Sequence, residues 1–143
     1  MAQVNKSALV PFSAKQMYKL VDDVSAYHTF LPWCGASEEK SRDDNVVVGA
    51  VTIKKGAVNK TFVTENTLYK NKKIEMKLID GPFKELHGFW YFDELKENAC
   101  KVRLELEYEF SNKLLSLVVG PVFNQIANSM VDSFVSEAKV KYG

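Results

Sequence analysis

Two histidines, two cysteines and six tyrosines are the side chains of this sequence best suited to acid–base or nucleophilic chemistry. His28 and His87 lie far apart in the chain, and no nucleophile–base–orienter set accompanies either. Cys34 follows Trp33 in an apolar loop, the setting of a small buried hydrophobe rather than a nucleophile. Cys34 and Cys100 are too few for a disulfide framework and too few for a zinc site. The acid pairs Asp22-Asp23, Glu38-Glu39 and Asp43-Asp44 are adjacent, so on regular structure their carboxylates diverge and read as solvated charges. No glycine-rich phosphate loop, HExxH or GxSxG occurs. The expectation is a protein that binds rather than reacts, with no catalytic residue, no metal and no covalently bound cofactor.

Binding is where the sequence is rich. Phe30, Leu31, Trp33, Phe62, Phe83, Trp90, Phe92, Phe123, Met130 and Phe134 are candidates to line an apolar tunnel. Each alone reads first as core, but together they exceed what a thin two-layer domain needs. Phe30, Leu31 and Trp33 sit on one short segment, FLPW. It would serve as a lid, dip into a membrane interface where Trp is favoured, or plug one end of the core. Lys54, Lys55, Lys60, Lys70, Lys72, Lys73 and Lys77 fall on or beside three hairpin-linked strands. They would form one cationic patch for phosphates, or merely a solvated edge that blocks sheet-to-sheet pairing. The edge reading is preferred. Arg, the residue for bidentate phosphate recognition, occurs only at Arg42 and Arg103, and no exposed aromatics are expected among the lysines.

Length and charge set outer bounds. The 143 residues suit one domain spanning 1–143. Nineteen Lys plus Arg against eighteen Asp plus Glu give a net charge of +1, which argues against coating DNA or other nucleic acid by bulk electrostatics. No run of about 18 apolar residues occurs. The start, MAQVNKSALV, has neither a secretory signal pattern nor the Arg-rich pattern of a transit peptide. A cytoplasmic setting is expected, with the FLPW loop as a means of touching the inner face of a membrane.

The elements that must position these residues follow from periodicity. Residues 2–10 read as a strand. Ser13 and Gln16 have capping-box spacing at the start of a short helix, with Phe12 and Met17 placed for a hydrophobic staple. A helical turn over Ser25–Phe30 ends before Pro32. Strands are expected at 46–54, 58–69, around Ile74–Leu78, around Leu86–Phe92, and at 100–110. In the last, Cys100, Val102, Leu104, Leu106, Tyr108 and Phe110 alternate with charged residues without a miss. Gly88 marks a bulge or a close approach. The chain closes with a helix from Lys113 to Lys141, about 43 Å long if straight, capped by Ser111 or Asn112. Its stripe is Leu115, Val118, Val119, Val122, Phe123, Ile126, Met130, Phe134 and Ala138. Gly120-Pro121 is expected to kink or break it and so to open a cavity. The order is α+β: a curved antiparallel meander wrapped around a long C-terminal helix.

That order, with LVDDVSAYHTFLPWC (Leu20 to Cys34) and LIDGPFKELHGFWYF (Leu78 to Phe92), resembles the coenzyme Q-binding branch of the START-like, helix-grip family. A weaker match is FSNKLLSLVVGPVF, Phe110 to Phe123. The resemblance spans essentially the whole chain. It implies an apolar cavity between sheet and helix that holds an isoprenoid quinone such as ubiquinone, or a similar lipid, in support of cellular respiration. A quinone head needs a few polar groups against its carbonyls, and Tyr27, His28, Tyr69 and Tyr108 are the candidate donors, with nothing in the sequence to choose among them. A bacterial branch of the same family implies a different role: the toxin of a toxin–antitoxin pair that binds the large ribosomal subunit and blocks subunit association. Lys54, Lys55, Lys70, Lys72 and Lys73 would be its ribosome-binding residues. The quinone reading is placed first.

Overall fold

The computed structural model describes residues 1–143. Strand β1 (Ala2–Val10) leads into helix α1 (Ala14–Asp22) and a 3₁₀ turn (Val24–Thr29). Six strands follow: β2 (Cys34–Arg42), β3 (Val46–Lys55), β4 (Val58–Tyr69), β5 (Lys73–Asp80), β6 (Phe83–Lys96) and β7 (Ala99–Phe110). Helix α2 (Lys113–Tyr142) ends the chain. The sheet order is β1-β7-β6-β5-β4-β3-β2, antiparallel throughout, so short turns suffice between neighbours from β2 to β7. Only β1 crosses over, to pair with β7 from Ala2↔Tyr108 to Val10↔Cys100.

Local chemistry explains most of these elements. The Ser13–Gln16 capping box forms as expected: Gln16 N–H donates to Ser13 Oγ at 3.1 Å and Ser13 N–H to Gln16 Oε1 at 2.9 Å. Phe12 and Met17 are both buried beside it. On β7, Cys100, Val102, Leu104, Leu106 and Tyr108 are buried, and the residues between them are not. Asn112 caps α2, its side-chain oxygen accepting from Leu115 N–H at 2.9 Å.

Three expectations need correction. The sheet has seven strands, one of them over residues 34–42, where the sequence reading assigns no element. The additional one, β2, reads GASEEKSR after Cys34 and has no apolar face. It forms because β3 offers a free row of backbone partners, and its charges and two register shifts suit an edge that must not recruit another chain. Second, α2 runs without interruption through Gly120-Pro121. Pro121 denies the Leu117 carbonyl its amide, but Leu117 is exposed, so solvent can replace that bond. Third, Val118 belongs to the exposed side. Leu114, Leu117 and Val118 all face out, and burial begins at Val119 and continues through Phe123, Ile126, Ala127, Val131, Phe134 and Ala138.

Two glycines are required by geometry. Gly81 has φ +150°, and a Cβ there would lie 2.7 Å from Phe62 Cβ. Gly88 is a close approach rather than a bulge, since the β6–β7 register shifts lie at Phe83/Glu85 and Glu94/Lys96. A Cβ on Gly88 would sit 2.6 Å from the Glu105 carbonyl oxygen and 2.8 Å from Leu106 Cδ1. Gly88→Ala must therefore push two central strands apart. It should destabilise the protein by about 2 kcal/mol, measured as a lowered midpoint in urea unfolding.

Candidate apolar binding cavity

Strands β3 to β7 present their inner faces to α2, but the two layers do not meet everywhere. A cavity of about 90 Å³ remains between them. Fifteen of its eighteen lining residues are hydrophobic. Trp33, Phe62, Trp90, Phe123 and Met130 line it, as the sequence reading expects. Phe30, Leu31, Phe83, Phe92 and Phe134 do not. They act as end-walls and core instead. Phe134 is fully buried and meets Tyr27, Phe30 and Trp90 edge-on at 5.2–5.4 Å. Phe83 stacks on Phe110 at 4.9 Å and meets Phe123 at 4.9 Å. Phe92 sits against Tyr18 and Trp90.

The FLPW segment is a plug. Leu31 is 1% exposed and Trp33 7%, so neither is free to act as a mobile lid or to enter a membrane. Gly120 and Pro121 do not open the cavity either. Neither lines it, and a Cβ on Gly120 would lie 3.7 Å from the Phe110 ring, outside the chamber.

The expected polar donors are spoken for or misplaced. Tyr27 is buried at the cavity wall, and its hydroxyl donates to the Val21 carbonyl. Burial raises its phenol well above the usual range. Tyr108 donates to Asn124 Oδ1 at 3.1 Å. Tyr69 is 42% exposed on the outside of the sheet. His28 is exposed and tied to Ser37, with Nδ1 3.0 Å from Ser37 Oγ. His87 meets Glu75 at 2.8 Å, a bond that lowers the Glu75 carboxyl. The polar side chains that do line the cavity are Thr64 and Asn66, which the sequence reading passed over. They occupy successive inward positions of β4, between Phe62 and Leu68.

The lysines do not form one patch. Lys54, Lys55 and Lys60 gather at the β3–β4 turn, while Lys70, Lys72 and Lys73 gather at the β4–β5 turn. Strand β4 separates them by about 36 Å. Lys55 Nζ donates to Gln125 Oε1 of α2 at 2.9 Å. Lys73 lies over the Tyr69 ring at 4.6 Å and within 5.8 Å of Phe89, so aromatics do accompany that cluster, contrary to expectation. Arg103 lies over Tyr91 at 4.2 Å but is paired with Asp93 at 2.6 Å.

Both cysteines are buried and free. Burial is the largest influence on each thiol. It raises Cys34 and pushes Cys100 up to about 11. Neither should react with Ellman's reagent in the native protein at mildly alkaline pH, and both should react once guanidinium unfolds it. Rapid native labelling of either thiol would contradict this placement.

Comparison with known proteins accords with this architecture. The family model for polyketide cyclase/dehydrase and lipid transport proteins matches residues 10–135. A Vibrio cholerae protein named ribosome association toxin RatA is 47% identical over 143 residues, covering 100% of this chain and 99% of its own. A Drosophila melanogaster protein named mitochondrial coenzyme Q-binding protein is 29% identical over 142 residues, covering 96% of this chain and 59% of its own. Among solved structures, one from Thermus thermophilus superposes with TM-score 0.84 at 14% identity, covering 99% of this chain and 100% of the other. A Mycobacterium smegmatis START superfamily protein gives 0.75 at 18%, with 97% of each chain covered. The Zhui aromatase/cyclase of Streptomyces gives 0.80 at 15%, with 96% and 93% covered. The last three establish the START-like, helix-grip fold.

Proposed function

The chain belongs to the polyketide cyclase/dehydrase and lipid transport family, and from that premise we propose that it is a ribosome-association factor of the toxin kind. In this reading it acts in the cytoplasm, binds the large ribosomal subunit and blocks subunit joining. One observation carries it: 47% identity, end to end, to a protein named ribosome association toxin. This reverses the order of the sequence reading, which put quinone binding first. The cluster Lys70, Lys72 and Lys73 is the better candidate for rRNA phosphates. It places three cations within four residues, and none of them enters an ion pair. Lys55 of the other cluster is already engaged by Gln125.

A second reading concerns the interior, and the apolar cavity favours it. An uncharged, largely apolar chamber under a single helix suits a lipid-like ligand, and the coenzyme Q-binding relative supports the same chemistry. We hold quinone binding and support of respiration as the narrower form of this reading. At about 90 Å³ the chamber lies below the roughly 300–1,000 Å³ of drug-sized ligand sites, so a whole quinone enters only if α2 moves away from the sheet. Both readings are non-enzymatic. The histidines stand apart from the cavity and from each other, and the buried thiols are protonated, so no assembled proton-transfer or nucleophilic set supports catalysis here, whatever other proteins with this fold do.

Sucrose-gradient profiles of ribosomes test the first reading. Added protein should shift whole ribosomes toward free subunits. Lys70→Glu with Lys72→Glu and Lys73→Glu should abolish the shift, and in the partially active single variants the dependence of log affinity on log salt should flatten by about 1 per lost phosphate contact. Lys54→Glu with Lys60→Glu should leave the shift in place. The opposite pattern would move the contact to the β3–β4 turn, and no shift with the wild-type protein would end this reading.

A further inference from the structure

The cavity contains one polar feature, and its chemistry is one-sided. Thr64 Oγ1 donates to Asn66 Oδ1 at 2.9 Å, which fixes the Asn66 side-chain amide. The acceptor end of that amide is thereby engaged, while no protein group accepts from its Nδ2. Asn66 is 9% exposed and Thr64 8%. A second donor lines the same cavity: the Trp33 indole Nε1–H is buried without any hydrogen-bond partner. A buried donor left unpaired costs free energy that a partner would restore. The cavity wall thus holds two unused donors. It holds no charged side chain at all.

Resting on the cavity reading above, the geometry points to Thr64 and Asn66 as an anchor for the neutral carbonyl end of an amphiphilic ligand. Two spare donors select an acceptor. The absence of any cation selects against a carboxylate or phosphate, because an ion buried without a partner is strongly disfavoured. The apolar remainder of the chamber takes the ligand's hydrocarbon part. Asn66 supplies the hydrogen bond, Thr64 positions Asn66, and Trp33 stands as the second donor. A ketone, quinone, ester or amide head satisfies these requirements, and a free fatty acid does not.

The protein carries its own probe. Trp33 and Trp90 are the two tryptophans of the chain, and both line the cavity, so intrinsic fluorescence reports occupancy. Titration of the full chain with methyl pentyl ketone, n-heptane and heptanoate compares three heads on chains of equal carbon count. The wild type should bind the ketone saturably and bind heptanoate at least tenfold more weakly at neutral pH. Asn66→Leu should weaken ketone binding about five- to tenfold, the worth of one hydrogen bond, while heptane binding holds or tightens. Ketone and heptane affinities moving together, or heptanoate binding as tightly as the ketone, would overturn the anchor while leaving the cavity reading intact. If none of the three probes binds the wild type, the cavity reading itself falls and the anchor with it. Should Asn66→Leu not fold, Thr64→Val keeps the shape and removes the hydroxyl. Ketone affinity should then fall at least twofold with heptane unchanged, and an unchanged ketone affinity overturns the anchor.

Discussion

Phe123 and Phe134, about three turns apart on α2, are the points at which the helix is fastened to the sheet. Phe123 sits in a cluster with Phe62, Phe83, Tyr108 and Phe110. Phe134 sits in another with Tyr27, Phe30 and Trp90. Most of these contacts are edge-to-face, each worth about 0.5–1.5 kcal/mol beyond burial. Large rings at both ends hold the helix axis away from the strands. Between them the helix offers Ile126, Ala127 and Met130, which do not fill the gap, and the cavity is what remains.

An unfilled apolar cavity has a thermodynamic cost. At roughly 24 cal/mol per Å³, about 90 Å³ corresponds to about 2 kcal/mol, a sizeable share of the 5–15 kcal/mol that holds a typical domain folded. A larger side chain at Ala127, which lines it, would fill part of it. The fold instead keeps an apolar space with two idle donors in its wall. A ligand that filled it would recover part of that cost through contact. Burial in the surrounding core accounts for the quiet chemistry of the interior. Both thiols are held protonated by burial, and the Tyr27 phenol is both buried and bonded to backbone.

Much of the frame was legible in the sequence because it depends on local rules. The capping box at Ser13–Gln16 and the unbroken alternation of Cys100 to Tyr108 need no tertiary information. Strand β2 was not legible, since GASEEKSR pairs only because β3 lacks a partner on that side. Half of the proposed tunnel residues became end-walls. Periodicity tells which way Phe83 or Phe134 points, but not whether it meets another ring or empty space. Thr64 and Asn66 were legible in principle. Phe62 and Leu68 fix which face of β4 is inner, and the two polar residues between them break its apolar run. The split of the lysines was equally readable, because successive hairpin turns lie at opposite ends of an antiparallel sheet.

The two proposed readings place separate roles, one at the surface and one in the interior, on one scaffold. The β4–β5 turn, with Lys70, Lys72 and Lys73 beside Tyr69, projects from one end of the sheet, and the chamber lies under α2. On these proposals, ribosome binding would need no change in the cavity, and occupation of the cavity would need none at the turn. The most direct test of the account is co-sedimentation of the purified protein with isolated ribosomal subunits at moderate salt. The account predicts that it pellets with the large subunit, in a saturable and salt-sensitive way, and not with the small one. Protein that stays in the supernatant with both subunits, or that follows the small subunit, would contradict it.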